Sequence, residues 1–251
     1  MRRLQKNLIS TEQKTEQAIC FLKKYEPVYG YLVLFSGGKD SIVTERLCKL
    51  AGVQYQLGYN RTGIDPPEIV SFVKRNYPNT IFFKPEHNFF ELIVKKSPPL
   101  ACSRWCCEEI KEKNGLDIKK LYPIHVVGIR AEEGRKRKKY GAIDIHQSIN
   151  TVTIKPIFDW QLWHIWDFIK THNLSYPSLY DEGFERLGCV VCPMMFHKNQ
   201  KKLDLHRDRW PQIFRAFESA VMQWYEKKQF TDCLHGSFEK YMEAYYRGFE
   251  K

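Results

Sequence analysis

The string Ser36-Gly37-Gly38-Lys39-Asp40-Ser41 has the composition of an anion cradle. Glycines let a backbone curl until successive N–H groups face one negative ligand. Lys39 adds a full positive charge, and the Ser36 and Ser41 hydroxyls add hydrogen-bond donors. Asp40 is out of place in a pure anion site, and a magnesium ion carried on nucleotide phosphates accounts for it. The all-apolar run Tyr31-Leu32-Val33-Leu34-Phe35 leads in, and apolar residues at Ile42, Val43, Leu47 and Leu50 lead out. Strand, glycine loop and helix therefore follow without a gap. That order brings the partial charge of a helix N-terminus, about half a unit, to the cradle. A glycine-rich turn alone needs no lysine or serines; the six residues together point to phosphate. The Walker loop is excluded, because its glycines stand farther apart and precede Lys-Ser/Thr.

Cysteines make the second constellation. Cys106 and Cys107 are adjacent, and Cys189-Val190-Val191-Cys192 follows far along the chain. Four thiolates can hold a [4Fe–4S] cluster, one per iron, or a structural zinc ion. Zinc usually takes cysteine pairs with a spacer of two to four residues, so the adjacent pair suits a cluster better. The order of expectation is cluster, then zinc, then reduced thiols. Cys102 reads as a buried small residue, as do Cys20 and Cys48 in apolar helix-like patterns. Cys233 stands beside His235, an arrangement that would activate a thiolate, although a thiol with no catalytic role is the reading placed ahead of it.

These groups need a scaffold. Thr11 to Lys24 reads as a helix, and after the strand–loop–helix unit comes Val53 to Tyr59 as a strand. A helix opened by Pro67 runs to Asn76, Thr80 to Phe83 is extended, and Asn88 to Lys96 is helical. His125 to Ile129 and Ile149 to Ile157 complete the strands, and 203–251 is helical and aromatic. Alternating strands and helices predict an α/β fold, a mostly parallel twisted sheet with helices on both faces. The expected divisions are an N-terminal helical segment over 1–29, a nucleotide-binding domain with the cysteines over 30–200, and a helical extension over 201–251.

With 251 residues and 43% hydrophobic content, the chain can bury a core without disulfides. A formal charge of +11 favours anionic partners. Much of it lies in Arg135-Lys136-Arg137-Lys138-Lys139 and Lys198 to Lys202, runs that more often form solvated surface. No run approaches a membrane span, and Met1 to Lys6 lacks the apolar core of a signal peptide, so the expected compartment is the cytoplasm. The segment His206 to Lys228 carries Trp210, Phe214, Phe217, Trp224 and Tyr225. It reads either as a stacking platform for RNA or DNA or, more commonly, as a helix burying its apolar face.

The glycine string is similar to the PP-loop of the adenine-nucleotide α-hydrolase superfamily. The chain from about 30 to 195 resembles the phosphoadenosine phosphosulfate (PAPS) reductase family within it. The matching segments are Ser36–Ser41, Thr62-Gly63-Ile64-Asp65 with Pro67-Glu68, Cys106-Cys107, Gly128-Ile129-Arg130-Ala131-Glu132-Glu133, Lys155 to Trp160, Tyr180-Asp181-Glu182-Gly183 and Gly188 to Pro193. The resemblance implies that Thr62, Gly63 and Asp65 lie against adenosine. It implies that Gly128 and Arg130, with Glu132 or Glu133, face the phosphate or sulfate end, and that Lys155, Asp159 and Trp160 edge the same pocket. Core packing is an equal reading for Trp160, as solvated charge is for Arg135 and Arg137. Iron–sulfur adenylylsulfate reductases share the Cys-Cys and Cys-x-x-Cys pattern. Their nucleophilic tail, Glu-Cys-Gly-Leu-His, is matched only loosely by Asp232-Cys233-Leu234-His235.

Two reactions fit, and both give the loop residues Lys39, Asp40 and Arg130 the chemical roles. In one, ATP with Mg2+ adenylates a substrate that then receives sulfur from a donor protein. In the other, a thiolate, with Cys233 as the candidate, attacks adenylylsulfate or PAPS, and a thiol reductant completes the cycle. Keeping Lys39 favours ATP, because departing pyrophosphate needs cationic stabilisation. A non-catalytic nucleotide or nucleic-acid binding module is the third reading.

Overall fold

The computed structural model describes residues 9–134, 137–139, 141–146, 151–196, 199–228 and 237–248. The strands are β1 (Tyr31–Leu34), β2 (Tyr55–Asn60), β3 (Ile81–Phe83), β4 (Ile124–Val127), β5 (Ile143–His146) and β6 (Thr151–Ile154). The helices are α1 (Thr11–Lys24), α2 (Lys39–Ala51), α3 (Pro67–Asn76), α4 (Phe89–Lys95), the single turn α5 (Trp105–Cys107), α6 (Leu116–Leu121), α7 (Leu162–Thr171), α8 (Pro193–Phe196), α9 (Gln200–Arg209), α10 (Pro211–Lys227) and α11 (Phe238–Arg247). A π-helical stretch, Glu108–Glu112, continues directly from α5.

The six strands form one sheet in the order β3-β2-β1-β4-β6-β5. β1 runs parallel to β2 and β4, and β4 parallel to β6; β5 is antiparallel to β6 at the edge. The expected mostly parallel α/β sheet is therefore present. Val33 pairs with Leu57 on one side and Val126 on the other, so β1 is central. A central strand has neighbours on both edges and helices over its faces, which is why its residues are apolar without alternation. Strand order reverses between β1 and β4. In open α/β sheets the crevice at such a reversal, beyond the carboxyl ends of the strands, is where ligands bind.

The chain divides into two compact units that do not follow its linear order. Unit 1 is Met1–Tyr59, Glu68–Phe82 and Leu116–Arg186; unit 2 is Asn60–Pro67, Phe83–Gly115 and Leu187–Lys251. In unit 1, Tyr31, Leu32, Val33, Ile42, Leu47, Val126, Ile154, Ile165 and Phe168 are buried, and α1, α2 and α7 pack on one another. A capping box between Ser10 and Gln13 starts α1.

In unit 2, α10 packs along α4, with Phe217 stacked on Phe89 at 6.4 Å and Phe89 stacked on Trp105 at 6.1 Å. Burying each such ring stabilises by about 1.5–3 kcal/mol. Trp210, Phe214, Phe217 and Trp224 are all buried, and Tyr225 packs on Phe238 and Tyr241. The aromatic segment is thus a helix face turned into its own core, and the stacking platform for nucleic acid is not formed by these rings. Cys48 is buried as expected, whereas Cys20 and Cys102 are exposed. Cys20 falls on the side of α1 opposite the face carrying Ala18 and Leu22, which explains its departure. Among the described residues, no helix is long and apolar enough to cross a membrane.

Candidate functional site

In unit 1, β1 ends at Leu34 and α2 begins at Lys39, so the glycine loop sits at the carboxyl end of the central strand, beside the reversal. Gly37 has φ +71°, and a Cβ there would meet Val73 Cγ2 at 2.7 Å. Only glycine tolerates both the left-handed backbone and that approach. Gly38 is the N-cap of α2 and brings no capping side chain; the first amide of the helix, that of Lys39, donates instead to Tyr180 Oη at 2.9 Å. Ser41 Oγ donates to the Gly38 carbonyl at 2.8 Å and lies 3.2 Å from Ser36 Oγ, so the two hydroxyls brace the curl.

β4 supplies the other wall. Gly128 follows its last residue, and a Cβ there would lie 2.8 Å from the carbonyl of Asp40 and 3.0 Å from the amide of Ser41. Two residues on, the buried Arg130 sends Nε to Asp40 Oδ1 at 2.6 Å and Nη1 to Glu132 Oε2 at 2.5 Å. Lys39 Nζ lies 3.4 Å from Asp40 Oδ2 and donates to the Glu185 carbonyl at 3.1 Å. Burial pushes the Lys39 pKa down, and the neighbouring Asp40 carboxylate opposes that shift. Arg137 is ion-paired to Glu133, and its pKa is lowered by burial and then by the charges of Arg186 and Arg130. Lys39, Arg130, Arg137 and Arg186 therefore share one neighbourhood around Asp40. Such a crowding of cations suits an anion with several charges. Arg137 is half-buried and paired, while Arg135 lies outside the described residues.

Unit 2 gathers the cysteines. Cys106 and Cys107 end the single turn α5, and the π-helical stretch follows at once, an irregularity that often marks functional sites. The Cys106 thiol donates to Cys107, which pushes Cys106 up and holds Cys107 below the usual thiol range. Cys192 and Cys189 add to the upward push on Cys106, so all four expected thiols belong to one electrostatic group. Lys111 joins them: its pKa is raised first by Cys189 and also by Cys107 and Cys192. Lys111 is not among the residues that cysteine spacing singles out. Its position four residues after Cys107, on the same helical face, was the available signal. Among the described residues, no three His, Cys, Asp or Glu side chains are arranged to hold a single metal ion.

The Thr62 loop belongs to the same unit. Asp65 accepts from the Thr62 amide and hydroxyl, both at 2.8 Å, and burial raises its pKa. Cys189 Sγ donates to Thr62 Oγ1 at 3.7 Å, and the Val190 amide donates to the Ile64 carbonyl at 2.8 Å. Gly63, at φ +80°, makes the turn between them. This loop and the second cysteine pair are thus built as one piece.

Lys155 and Trp160 also belong to unit 1, where the Ala131 amide, next to Arg130, donates to the Phe158 carbonyl at 2.7 Å. Lys155 Nζ donates to the Gly141 carbonyl at 3.0 Å and lies 3.7 Å from Asp144. It lines a cavity of about 270 Å3 together with Lys14, Phe21 and Asp159. Asp159 is ion-paired to Lys14 of α1. Trp160 is buried against Phe168 at 5.7 Å, which makes it a core residue. Cys233 and His235 lie outside the described residues.

Comparison with known proteins follows the same lines. A model described as the phosphoadenosine phosphosulfate reductase domain matches residues 30–195. An uncharacterised protein of Methanocaldococcus jannaschii is 28% identical over 241 residues, 88% of this chain and 56% of its own. The adenosine 5'-phosphosulfate reductase 2 of Bacillus subtilis is 24% identical over 206 residues, 75% of this chain and 85% of its own. The chain spans about half the length of several curated relatives it matches. Among solved structures, a PAPS reductase from Candida auris in complex with phosphate superposes with a TM-score of 0.53 at 18% identity, covering 70% of this chain and 87% of that one. At that identity the structural match speaks for the fold alone.

Proposed function

The chain belongs to the phosphoadenosine phosphosulfate reductase family, and from that premise we propose that it is an adenine-nucleotide enzyme of sulfur metabolism whose phosphate loop takes ATP. The observation that carries this reading is the convergence of Lys39 and Arg130 on Asp40 at the reversal between β1 and β4. Asp40 holds the two cations in place, and both are largely withdrawn from water. A cation so placed stabilises charge developing on a leaving pyrophosphate without reorganising. The Ser36 and Ser41 hydroxyls and the amides of the first turn of α2 would complete the cradle. Mg2+ travels with ATP as part of the substrate, since one carboxylate already held by two cations is a poor metal site by itself. In this reaction a substrate oxygen attacks the α-phosphate, pyrophosphate leaves, and the adenylated substrate is ready to accept sulfur.

Cys106, Cys107, Cys189 and Cys192 would hold a [4Fe–4S] cluster, for which four thiols close enough to act on one another, with an adjacent ammonium, are a suitable donor set. When bound, it would supply a polarising or electron-carrying centre. Lys111 would balance the negative charge of the thiolates. Zinc is the runner-up for the same residues.

A second reading, thiol-dependent reduction of adenylylsulfate or PAPS with release of sulfite, is favoured by relatives that carry the name adenosine 5'-phosphosulfate reductase. One experiment separates the two. Anaerobically purified protein is incubated separately with Mg·ATP, adenylylsulfate and PAPS, and pyrophosphate and sulfite are measured. Pyrophosphate from ATP supports the first reading, sulfite from either sulfonucleotide the second, and neither product from any nucleotide defeats both.

A further inference from the structure

The segment from Tyr180 to Arg186 lies over the phosphate loop within unit 1, and it occupies the very groups that a phosphate would use. Tyr180 Oη accepts from the backbone amide of Lys39 at 2.9 Å. That amide is the first of α2, where no side chain caps the helix. A Cβ on Gly38 would stand 3.1 Å from the same hydroxyl, so the phenol lies directly on the glycine turn. The Glu185 carbonyl takes the Lys39 ammonium at 3.1 Å, and the Tyr180 ring lies under it at 5.1 Å. These are neutral partners on a cation and a helix amide. A phosphate oxygen in the same places makes charge-assisted bonds roughly twice as strong. Asp181, Glu182, Gly183, Glu185 and Arg186 of the segment are exposed, while Phe184 is buried and anchors it. Arg186 follows Glu185, whose carbonyl holds Lys39, and its charge acts on both Lys39 and Tyr180; among the described residues no ion pair joins a carboxylate to it.

Resting on the phosphate-loop reading above, we propose that Tyr180 is a stand-in which phosphate oxygens displace, and that Arg186 is the residue by which this pocket distinguishes a polyphosphate from a monophosphate. The Tyr180 hydroxyl and Glu185 carbonyl hold places that phosphate oxygens take over. Arg186 supplies the charge that a diphosphate or triphosphate draws on and a monophosphate does not.

The test is calorimetric binding of inorganic pyrophosphate, ATP and AMP to the full chain and to Tyr180→Phe and Arg186→Gln. Tyr180→Phe keeps the ring against Trp166 and Tyr176. It removes only the competing hydroxyl, so pyrophosphate and ATP should bind about fivefold tighter, the worth of one hydrogen bond no longer broken. Arg186→Gln should weaken both by roughly three- to fivefold, less so in high salt, and leave AMP unchanged. Weaker pyrophosphate binding in Tyr180→Phe would show that the hydroxyl serves the ligand, and would overturn the exchange. Unchanged binding in both variants, or an AMP loss in Arg186→Gln equal to the ATP loss, would overturn the discrimination. A wild-type chain that binds neither pyrophosphate nor ATP would instead sink the phosphate-loop reading itself, a result distinct from the others because it needs no variant.

Discussion

Gly128→Ala probes the site without touching a charged group. The added methyl would lie 2.8 Å from the Asp40 carbonyl carbon and oxygen and 3.0 Å from the Ser41 amide. That is roughly half an ångström short of ordinary contact, and the atoms it meets are backbone, which cannot rotate away. The first turn of α2 must therefore retreat, taking the Lys39 and Asp40 side chains with it. Overpacking of this kind costs about 1–3 kcal/mol. In a chain of this size that lowers the melting temperature by roughly 2–12 °C. The effect on turnover should be larger in proportion, because a displacement approaching 1 Å of groups that position a reacting phosphate can cost about a hundredfold. Gly134→Ala is the control, since its Cβ would meet nothing within 4 Å. The assay is pyrophosphate or sulfite release, whichever nucleotide proves to be the substrate, alongside thermal unfolding of both variants. Gly128→Ala turnover within a factor of two of Gly134→Ala would refute the claim that β4 sets the position of the phosphate loop.

Lys39→Ala should abolish nucleotide turnover while the melting temperature changes little, and retained turnover would refute the site assignment. Because burial lowers the Lys39 pKa, its ammonium is lost at a lower pH than that of an ordinary lysine. The alkaline limb of kcat/KM should therefore fall below the usual lysine range and move upward in Lys39→Arg. Anaerobic protein should be brown with about four irons per chain, and colourless protein with one tightly held zinc would overturn the cluster. Lys111→Met removes a positive charge beside the Cys189 thiolate, so a bound cluster should become harder to reduce, its potential shifting negative in a spectroelectrochemical titration. Cys233→Ser should leave pyrophosphate release from ATP near normal; a folded variant that retains its cluster but fails with every nucleotide would promote the reductase reading.

Elements whose burial is symmetric were legible in the sequence. β1 is covered on both faces and flanked by turn residues, and α3 opens at Pro67 and ends at Asn76 as its proline and periodicity predict. β5 was not legible because it is an edge strand with Ile143 and Ile145 exposed, so its apolar residues report no core. α7 follows the Lys155–Trp160 motif so closely that its own period, Ile165, Phe168 and Ile169 inward, is masked by it. The division into units was hidden for a different reason. Asn60–Pro67, Phe83–Gly115 and Leu187–Lys251 assemble from three separate stretches, and local periodicity carries no information about which distant stretches meet.

The candidate site shows the same asymmetry between residue type and residue partner. Ser36 to Ser41 could be read because the chemistry of the loop lies in its own backbone and side chains. Tyr180 stood out only as part of the Tyr180-Asp181-Glu182-Gly183 match; that its hydroxyl meets a helix amide 141 positions away could not be read from spacing, and Arg186 carried no signal. The expectation that Asp40 meets a metal rested on a carboxylate having no reason to sit among phosphate-binding groups. The structure supplies a reason that needs no metal: Asp40 pairs with Arg130, a residue ninety positions away that spacing cannot connect to it. With a carboxylate between them, Lys39 and Arg130 can stand close together before any anion arrives, and their mutual repulsion does not have to be overcome by the nucleotide. Replacing Asp40 by Asn should accordingly weaken ATP binding even though it removes a negative charge from an anion site. If simple charge counting governed the pocket instead, Asp40→Asn would bind ATP more tightly, and calorimetry on that one variant tells the two accounts apart.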